Sequence, residues 1–402
     1  MLLAPESPYP MTGGGAVRTA SLVCYLSSRF RLHLVVFHAG RGAGDADGFP
    51  AGAVEKLDWV SLAPHSKAAV ARAGRNLSRL WRGVLPLSDR FSGPASRAQV
   101  AQLIAGRRYR VAVVEHFWCA GYEEILRPRA ESLVLDLHNI ESTLHARCAA
   151  TETGAARWAH RAFARRAEQA ERRWLPRFDL VLAASETDRR RVQELAPGAR
   201  VAVYPNAVPR RFPEPAEEEH CVAFSGNLEY HPNAAAVRYF AQQVWPALRR
   251  QDPELRWRLI GKNDGAVRRW TAGDPRIETT GPVEDALAEL ARVRVVVVPL
   301  LAGSGTRIKI LEAWAAGRAV VSTSVGAEGL PARDGENLLL ADSPDRMREA
   351  VLGLLHDAGE RRRLGQAGRR VVEQQLCWPA AFRVLEESLA GIERTGRIGV
   401  SS

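Results

Sequence analysis

The segment 295–329, VVVVPLLAGSGTRIKILEAWAAGRAVVSTSVGAEG, limits the possible folds of this chain more than any other part of the sequence. Val295–Val298 is a β-branched run of the kind that parallel sheets bury on both faces, and Pro299 ends it. We predict a helix over Arg307–Ala316 and another strand from Ala319–Val321 onward. The segment therefore predicts a strand–helix–strand unit of a parallel sheet.

The turn between this strand and helix has the composition of an anion-binding loop, Gly303-Ser304-Gly305-Thr306. Glycine lets the backbone approach a ligand, and the first N–H groups of a helix have no intrahelical partner. We predict Thr306 as the N-cap and Gly317 as the C-terminal stop. Arg307 and Lys309 favour a phosphate or diphosphate ligand, because cations at a helix N-terminus are unfavourable until an anion binds. The alternative is an ordinary crossover with two surface cations.

A carboxylate follows in the same helix. Glu312 is placed to accept hydrogen bonds from two sugar hydroxyl groups. This order of turn, cations and glutamate resembles the donor-site motif of the retaining GT-B glycosyltransferases of group 1 (family 4), E-x7-E followed by A-x-A-x-G-x-P-V-V. Residues 313–321 match the second half, with Ala319 in place of proline, and Ser304 stands where the first glutamate contacts donor-sugar hydroxyls. The resemblance implies an α/β GT-B fold, in which two doubly wound Rossmann-like parallel-sheet domains face each other across a cleft.

The length and the order of elements agree with two domains. The 402 residues exceed one compact core, and strands alternate with helices in both halves. The predicted strands are Met1–Ala4, Leu32–Phe37, Val111–Val114, Leu133–Leu137, Leu180–Ala183, Val201–Tyr204, Cys221–Ser225, Arg256–Ile260, Val295–Val298, Ala319–Val321 and Leu338–Leu340. Proline-rich Pro205–Pro209 marks the boundary and resembles the family's P-N-G-V hinge. We predict domains at 1–206 and 207–376, and the resemblance implies that a helix in 377–402 returns to the first domain before a loose tail.

The positive net charge of the chain favours an anionic partner. The formal net charge is +11, and many cations lie in two predicted helical segments, Lys67–Arg90 and Arg157–Arg177. An anionic membrane surface fits this pattern, and a solvated arginine-rich surface is the alternative. No nucleic-acid motif accompanies the charge, so no nucleic-acid partner is expected.

The remaining composition favours a cytoplasmic enzyme, peripheral at the inner face of the plasma membrane. No apolar run approaches the roughly 20 residues of a membrane helix, and MLLAPESPYP lacks the basic region of a signal peptide. Five scattered cysteines without C-x-x-C indicate reduced thiols and no zinc site. Asp45-Ala-Asp47 has the form of a D-x-D metal motif, but it lies in a glycine-rich loop with no strand beside it, so no metal site is predicted.

In the first half, a glycine loop follows the first strand, where open α/β sheets bind ligands. It resembles the family's P-x-x-G-G-x-x-R segment, which implies that Gly14, Gly15 and Arg18 approach the donor diphosphate and the acceptor. His116 and His138 each follow a buried strand, with Asn139 beside the second. The pair predicts functional histidines at the carboxyl edge of the sheet, and the resemblance implies that His116 lies close to the donor sugar.

In the second half, the loop after Cys221–Ser225 contains Gly226 and Asn227 and resembles the family's first donor-domain loop. Family members often carry an arginine and a lysine there, whereas this chain has Asn227 and Pro232. Arg307 and Lys309 are therefore expected to replace those cations. The resemblance also implies that backbone near Gly261, Lys262 and Val283 holds the nucleobase.

The function implied is transfer of a sugar from a nucleotide diphosphate sugar to a hydroxyl of a glycan or lipid-linked glycan, with retention of anomeric configuration. The residues expected to carry the reaction are His116, Arg307, Lys309 and Glu312. No cofactor and no metal are expected. Two alternatives remain open at this point: a nucleotide-sugar epimerase with the same fold, and a non-catalytic basic binding module.

Overall fold

The computed structural model describes residues 1–11, 13–39, 48–50, 52–63, 69–214, 216–303 and 307–398, and the chain divides into two compact units. The first unit comprises Met1–Met11, Gly15–Pro205 and Phe382–Ser402, and the second comprises Thr12–Gly14 and Asn206–Ala381. Several residues of the predictions lie outside the described ranges: Asp45, Asp47, Lys67, Ser304, Gly305 and Thr306.

The first unit is built on a seven-stranded, all-parallel sheet in the order β3-β2-β1-β4-β5-β6-β7. Its strands are β1 (Leu2–Ala4), β2 (His33–His38), β3 (Lys56–Ser61), β4 (Tyr109–Glu115), β5 (Ala130–Asp136), β6 (Leu180–Ala183) and β7 (Val201–Val203). Its helices are α1 (Gly14–Arg29), α2 (Ala69–Arg82), α3 (Pro86–Phe91), α4 (Pro94–Leu103), α5 (Glu123–Leu126), α6 (Glu141–Thr151), α7 (Gly154–Trp174) and α8 (Glu186–Leu195).

The second unit repeats this plan with six parallel strands in the order β10-β9-β8-β11-β12-β13. Its strands are β8 (Glu219–Ser225), β9 (Arg256–Ile260), β10 (Ile277–Thr279), β11 (Val293–Val298), β12 (Ala319–Ser322) and β13 (Leu339–Leu340). Its helices are α9 (His231–Tyr239), α10 (Trp245–Gln251), α11 (Arg268–Thr271), α12 (Ala286–Ala291), α13 (Ile308–Ala315), α14 (Ser324–Ala327), α15 (Pro344–His356) and α16 (Ala358–Gln375). Both orders are doubly wound, so the α/β fold class is confirmed.

The last helix, α17 (Trp378–Ile398), belongs to the first unit from Phe382 onward. The ring centroids of Phe382 and Tyr25 are 5.4 Å apart, and Arg29 Nη2 forms an ion pair with Glu386 Oε1 at 2.8 Å. This part of α17 therefore packs on α1.

The predicted strands are all present, but two further strands were missed. β3 and β10 each lie at one edge of their sheet and are half-buried for most of their length. Charged residues interrupt both strands, so they lack the continuous apolar run that marked the central strands, whereas the other edge strands, β7 and β13, keep short apolar runs.

Three helix predictions need correction. The single helix expected near the first basic segment is two helices, since α2 ends at Arg82 and α3 begins at Pro86. The second basic segment lies in α7, which ends at Trp174. The helix predicted over Arg307–Ala316 begins one residue later, at Ile308, and Gly317 ends it with φ +68° and the two backbone hydrogen bonds of a Schellman motif.

The core of the second unit contains Trp314 of α13, which is fully buried. Its indole N–H donates to the carbonyl oxygen of Asn337 at 2.9 Å. Gly368 of α16 lies against the indole, because a Cβ at this position would be 2.1 Å from Trp314 Cδ1. This contact fixes α13, the helix on which the predicted cations stand.

In the described part of the chain, no helix is both long and apolar enough to cross a membrane. The five cysteines are all free thiols, of which Cys24 is exposed and the others are buried.

Replacing Gly368 with alanine should lower the free energy of unfolding by about 1–3 kcal/mol, because the indole of Trp314 has no room to yield. Gly353→Ala in α15 is the matched control. Gly353 is exposed and a Cβ there meets no described atom within 4 Å, so alanine should stabilise the helix slightly. Urea unfolding of both variants measures the difference, and equal stabilities would contradict this packing.

Candidate functional site

The strand order of the second unit reverses between β8 and β11, and ligands of doubly wound sheets bind beyond the carboxyl ends of such strands. Gly226 follows β8 with φ +139°, and a Cβ there would lie 3.0 Å from Lys309 Nζ. Gly261, after β9, approaches the same turn so closely that a Cβ would lie 2.1 Å from the Gly226 carbonyl oxygen. Glycine at both positions therefore brings bare backbone up to the Lys309 ammonium group.

Lys309 is anchored at this turn from the first turn of α13. Its Nζ donates to the carbonyl oxygen of Ser225 at 2.7 Å and to Asn233 Oδ1 at 2.8 Å. It also lies 4.0 Å from the ring centroid of Phe224. Since an ammonium group has three N–H donors, these two acceptors leave a third donor for a ligand.

Glu312 lies one helical turn beyond Lys309, and the two side chains titrate together. Burial raises the pKa of Glu312 to about 7, although Lys309 opposes the shift. Burial likewise lowers the pKa of Lys309 to about 7, with Glu312 opposing and Arg307 reinforcing the shift. An anionic ligand would favour the charged ammonium, so the site gains positive charge as it binds.

Arg307 occupies the N-cap position of α13, with extended backbone, and its carbonyl oxygen accepts from Ile310 N at 3.0 Å. The side chain is only 8% exposed. Its guanidinium lies against Gly303, where a Cβ would be 2.7 Å from Arg307 Nη2. Gly303 has φ +141°, so the turn after β11 and the arginine fit only with glycine there.

The structure also joins the two turns predicted to hold the nucleobase. Gly261 N donates to the Gly281 carbonyl oxygen at 3.2 Å, which forms an isolated bridge between the turns. The Lys262 carbonyl oxygen accepts from Leu228 N at 3.0 Å, and half-buried Val283 lies two residues beyond the bridge.

Asn227, which stands where a cation is usual, stabilises the turn. Its Oδ1 accepts from Asn263 Nδ2 at 2.9 Å and from Glu229 N at 3.1 Å. Its carbonyl oxygen accepts from Asn233 Nδ2 at 2.8 Å. Asn263 has a left-handed backbone with φ +65°, a conformation that often occurs at ligand-binding turns.

In the first unit, Glu115 and Asp136 end neighbouring strands in register and are fully buried. His138 lies between them, with Nε2 3.5 Å from Glu115 Oε1 and 3.4 Å from Asp136 Oδ2. Burial disfavours the charged imidazole, but the two carboxylates outweigh it and raise the pKa of His138. Burial raises the pKa of Glu115.

Arg18 requires a correction, because the structure gives it an internal partner in place of a diphosphate. It is 1% exposed and grips Asp136 with Nε at 2.8 Å and Nη2 at 2.5 Å, while Nη1 donates to the Tyr204 carbonyl oxygen at 2.9 Å. Burial alone would raise the pKa of Asp136, and Arg18 overrides it, holding the pKa at about 2. Arg18 therefore neutralises a buried carboxylate at the end of β5.

Three metal-type ligand atoms, from Glu115, Asp136 and His138, lie within 4.8 Å of one another. Arg18 already bonds both oxygens of Asp136. A fixed guanidinium charge beside the carboxylate repels a cation, so this cluster is better explained as an ion-pair network than as a metal centre.

His116 lies at the carboxyl end of β4 with φ +60° and ψ +141°, which is rare for a residue with a side chain. Its ring stacks on Trp118 at 4.0 Å between centroids and on His138 at 3.5 Å. Burial, followed by the charges of His138 and Arg18, lowers the pKa of His116 well below its usual value. The imidazole is thus neutral near pH 7 and can accept a hydrogen bond or a proton.

Two residues of this arrangement were not predicted from the sequence, Trp118 and Glu141. The indole N–H of Trp118 donates to Glu141 Oε1 at 2.7 Å, and Asn139 Nδ2 donates to the same oxygen at 2.8 Å. Glu141 begins α6 and is buried. Glu141 could have been recognised from the sequence as a carboxylate at the start of a helix, two residues after Asn139. Its contact with Trp118 could not, because the two residues are 23 positions apart.

The predicted glycines Gly14 and Gly15 form the first turn of α1. A Cβ at Gly15 would lie 3.9 Å from His138 Nδ1, so this turn adjoins the histidine. Each sheet thus carries its candidate residues at its own carboxyl edge.

Comparison with known proteins adds independent information. Residues 219–357, which run from β8 to the end of α15, match the family model "Glycosyl transferases group 1". The chain is 31% identical over 146 residues to a phosphatidyl-myo-inositol mannosyltransferase of Mycolicibacterium smegmatis, covering 35% of this chain and 37% of that protein. The chain spans about a third of the length of the curated relatives it matches.

Solved structures resemble almost the whole chain. Sucrose-phosphate synthase from Thermosynechococcus elongatus superposes with a TM-score of 0.74 at 15% identity, covering 98% of both chains. Anabaena HepE in complex with UDP and glucose gives a TM-score of 0.66 at 14% identity, covering 97% of this chain and 98% of that one. These similarities confirm the GT-B fold.

Replacing Asp136 with asparagine should destabilise the protein by about 3–5 kcal/mol, because Arg18 is then a buried charge without its counter-ion. Arg31 and Glu55 form a fork of the same geometry that is largely exposed, with Nε at 2.6 Å and Nη2 at 2.5 Å from the two carboxylate oxygens. Glu55→Gln should therefore leave the thermal midpoint unchanged. Similar midpoint losses in both variants would contradict the role assigned to burial.

Proposed function

We propose that this chain, whose residues 219–357 match the family model "Glycosyl transferases group 1", transfers a sugar from a nucleotide diphosphate sugar to a hydroxyl group, with retention of configuration. The observation that carries the proposal is the half-buried Lys309 beside the bare backbone of Gly226 and Gly261 at the switch point of the second sheet. We propose a glycan or lipid-linked glycan as acceptor and no metal cofactor.

The diphosphate is the leaving group of such a reaction, and negative charge develops on it as the sugar departs. Lys309, with one N–H directed to no protein acceptor in the described chain, supplies a positive charge for it. Arg307 and the N-terminal backbone of α13 add to the same end. Groups held in place before reaction stabilise this charge without reorganisation, which is usually the largest catalytic contribution.

The sugar would be oriented by Glu312, whose carboxylate is a two-oxygen acceptor for neighbouring hydroxyls. Burial raises its pKa to about 7, and hydrogen bonds from sugar hydroxyls would favour the charged carboxylate, so sugar binding would lower this pKa. Ser304 stands at the position of the family's other glutamate, so selection of the sugar rests more heavily on Glu312.

For His116 we propose contact with the reacting sugar. Its neutral imidazole accepts a hydrogen bond from a sugar hydroxyl or takes a proton. The stack of Trp118 and His138 on its two faces leaves only the ring edge for such a contact. HepE is similar in fold and binds UDP, so UDP is the first nucleotide to test.

Replacing Lys309, Arg307 or Glu312 with alanine should each lower transfer at least about tenfold, equivalent to roughly 1.4 kcal/mol of barrier. Titration calorimetry with UDP separates the three, because Lys309→Ala and Arg307→Ala should also weaken UDP binding, whereas Glu312→Ala should affect mainly the sugar nucleotide. Turnover is measured as UDP release from a panel of UDP-sugars with glycan acceptors.

Arg346→Ala is the matched control, since it removes an exposed cation from the same unit. It should leave both UDP affinity and transfer unchanged. Wild-type rates in Lys309→Ala and Glu312→Ala would contradict the donor site. Conversion of a UDP-sugar to its epimer without any acceptor would favour the epimerase. A chain whose function is the same in the wild type and in all three alanine variants would favour a binding module.

We also propose that the first unit docks on an anionic membrane surface through α2. Trp81 and Leu77 stand one turn apart on this helix and are 87% and 68% exposed, beside the exposed Arg82. Large apolar side chains interspersed with arginine are typical of helices that lie in the headgroup region. Arg79 is excluded from this role, because it is buried in an ion pair with Asp89.

Replacing Trp81 and Leu77 together with alanine should weaken binding to phosphatidylglycerol vesicles about tenfold, because two insertable apolar side chains are lost. Tyr230→Ala, an exposed aromatic residue of the second unit, should bind like the wild type. Co-sedimentation at two salt concentrations measures the effect. Equal binding to neutral phosphatidylcholine vesicles, or no loss in the double variant, would contradict membrane docking.

A further inference from the structure

The first unit contains a cavity of about 510 Å³ that the donor chemistry does not use. It is bounded by α3, by the segments at the ends of α2 and β4, and by one side of α7. Its walls combine arginine with aromatic rings, namely Arg82, Arg97, Arg166, Arg173, Trp118 and Trp174.

Four arginines and a single carboxylate, Asp89, make up the charged lining. Asp89 is already shared by two guanidinium groups, Arg79 Nε at 2.9 Å and Arg82 Nη1 at 2.9 Å. Two cations on one anion leave an excess of positive charge at this wall. The cavity therefore favours an anionic occupant.

The opposite wall adds more positive charge. Arg97 pairs with Glu124 at 2.7 Å and donates to the Gly121 carbonyl oxygen at 2.7 Å. Arg166 and Arg173, both on α7, have no ion-pair partner among the described residues. Both residues are partly open to solvent and line the cavity, so each guanidinium group keeps N–H donors for an anion there.

Glycine keeps the space beside these arginines open. A Cβ at Gly83 would lie 3.2 Å from Arg166 Nη1, and a Cβ at Gly121 would lie 3.3 Å from Arg97 Nη1. A side chain at either position would crowd the neighbouring guanidinium group. Arg97 is also held by the backbone, since its Nη1 donates to the Gly121 carbonyl oxygen.

One wall of the cavity is shared with the candidate site. Trp118 lines the cavity and stacks on His116 at 4.0 Å, while Phe91 stacks on Trp118 at 5.7 Å. Glu141 fixes the indole by accepting its N–H at 2.7 Å. A molecule that occupies the cavity therefore lies within one aromatic ring of the histidine proposed to contact the sugar.

We propose that this cavity binds a phosphate ester, and that the ester belongs to the acceptor. The planar fork of arginine matches phosphate oxygens in pairs, and the lining supplies four such groups, Arg82, Arg97, Arg166 and Arg173. The assignment to the acceptor rests on the proposed function, whereas phosphate binding in the cavity does not. The ester has two possible sources, a soluble sugar phosphate and a lipid headgroup.

Titration calorimetry with glucose 6-phosphate and with inorganic pyrophosphate, in the presence of saturating UDP, tests the cavity while the donor site is filled. The double variant Arg166→Ala/Arg173→Ala should bind both probes at least tenfold more weakly than the wild type. Its UDP affinity should be unchanged. Vesicles of phosphatidylinositol provide the second arm, and weaker vesicle binding by the Arg166→Ala/Arg173→Ala variant but not by Arg161→Ala/Arg165→Ala would assign the ester to a lipid.

Arg161→Ala/Arg165→Ala is the matched control, because it removes two exposed arginines from the same helix that do not line the cavity. This control should bind the probes like the wild type. Equal binding by wild type and the Arg166/Arg173 variant, or equal loss in the control, would overturn the proposal. A chain that binds phosphate through Arg166 and Arg173 but does not bind UDP would keep the cavity and contradict the donor site instead.

Discussion

The adjacency of β8 and β11 in the second sheet is the constraint on which the donor site depends. Because the strand order reverses there, the helices that follow the two strands leave in opposite directions and expose the strand ends. Lys309 follows β11, yet its ammonium bonds the carbonyl oxygen of Ser225 at the end of β8, 84 residues earlier. This hydrogen bond places a positive charge between the two strand ends, and Gly226 and Gly261 leave the space beside it free of side chains. A parallel sheet in any other order would separate these groups.

The first sheet also brings side chains together at the carboxyl ends of neighbouring strands, but there they form a buried ion-pair network. Glu115 and Asp136 are placed together by register alone, and two buried carboxylates in contact are unfavourable. Arg18 neutralises one, while His138 lies between both, so the cluster costs less than its charges suggest. This explains why Arg18, which the sequence pattern placed on a ligand, is instead inside the protein. Two arginines of this unit that have no ion-pair partner among the described residues lie instead on α7, at Arg166 and Arg173.

The sequence predicted most of this arrangement where burial and backbone chemistry act locally. Val295–Val298 and Arg256–Ile260 could be recognised because central parallel strands are apolar on both faces. The second basic segment lies in α7, and α6 is a separate helix before it, because Glu152 and Thr153 are extended and Gly154 has φ +57°. Contacts that join distant segments, such as Trp118 with Glu141 and the ring stack on His116, leave no periodic trace in the sequence.

The stacked rings explain how a strained histidine is held in place. His116 has a positive φ, a conformation that costs free energy and persists only where packing enforces it. Phe91, Trp118 and His138 supply that packing as consecutive stacks, and Glu141 fixes the column by a bond to its central indole. The same indole forms a wall of the arginine-lined cavity, so one side chain contacts both the cavity and the imidazole ring. The hydrogen bond to Glu141 fixes this shared side chain, and it therefore supports the strained histidine and shapes the cavity at once.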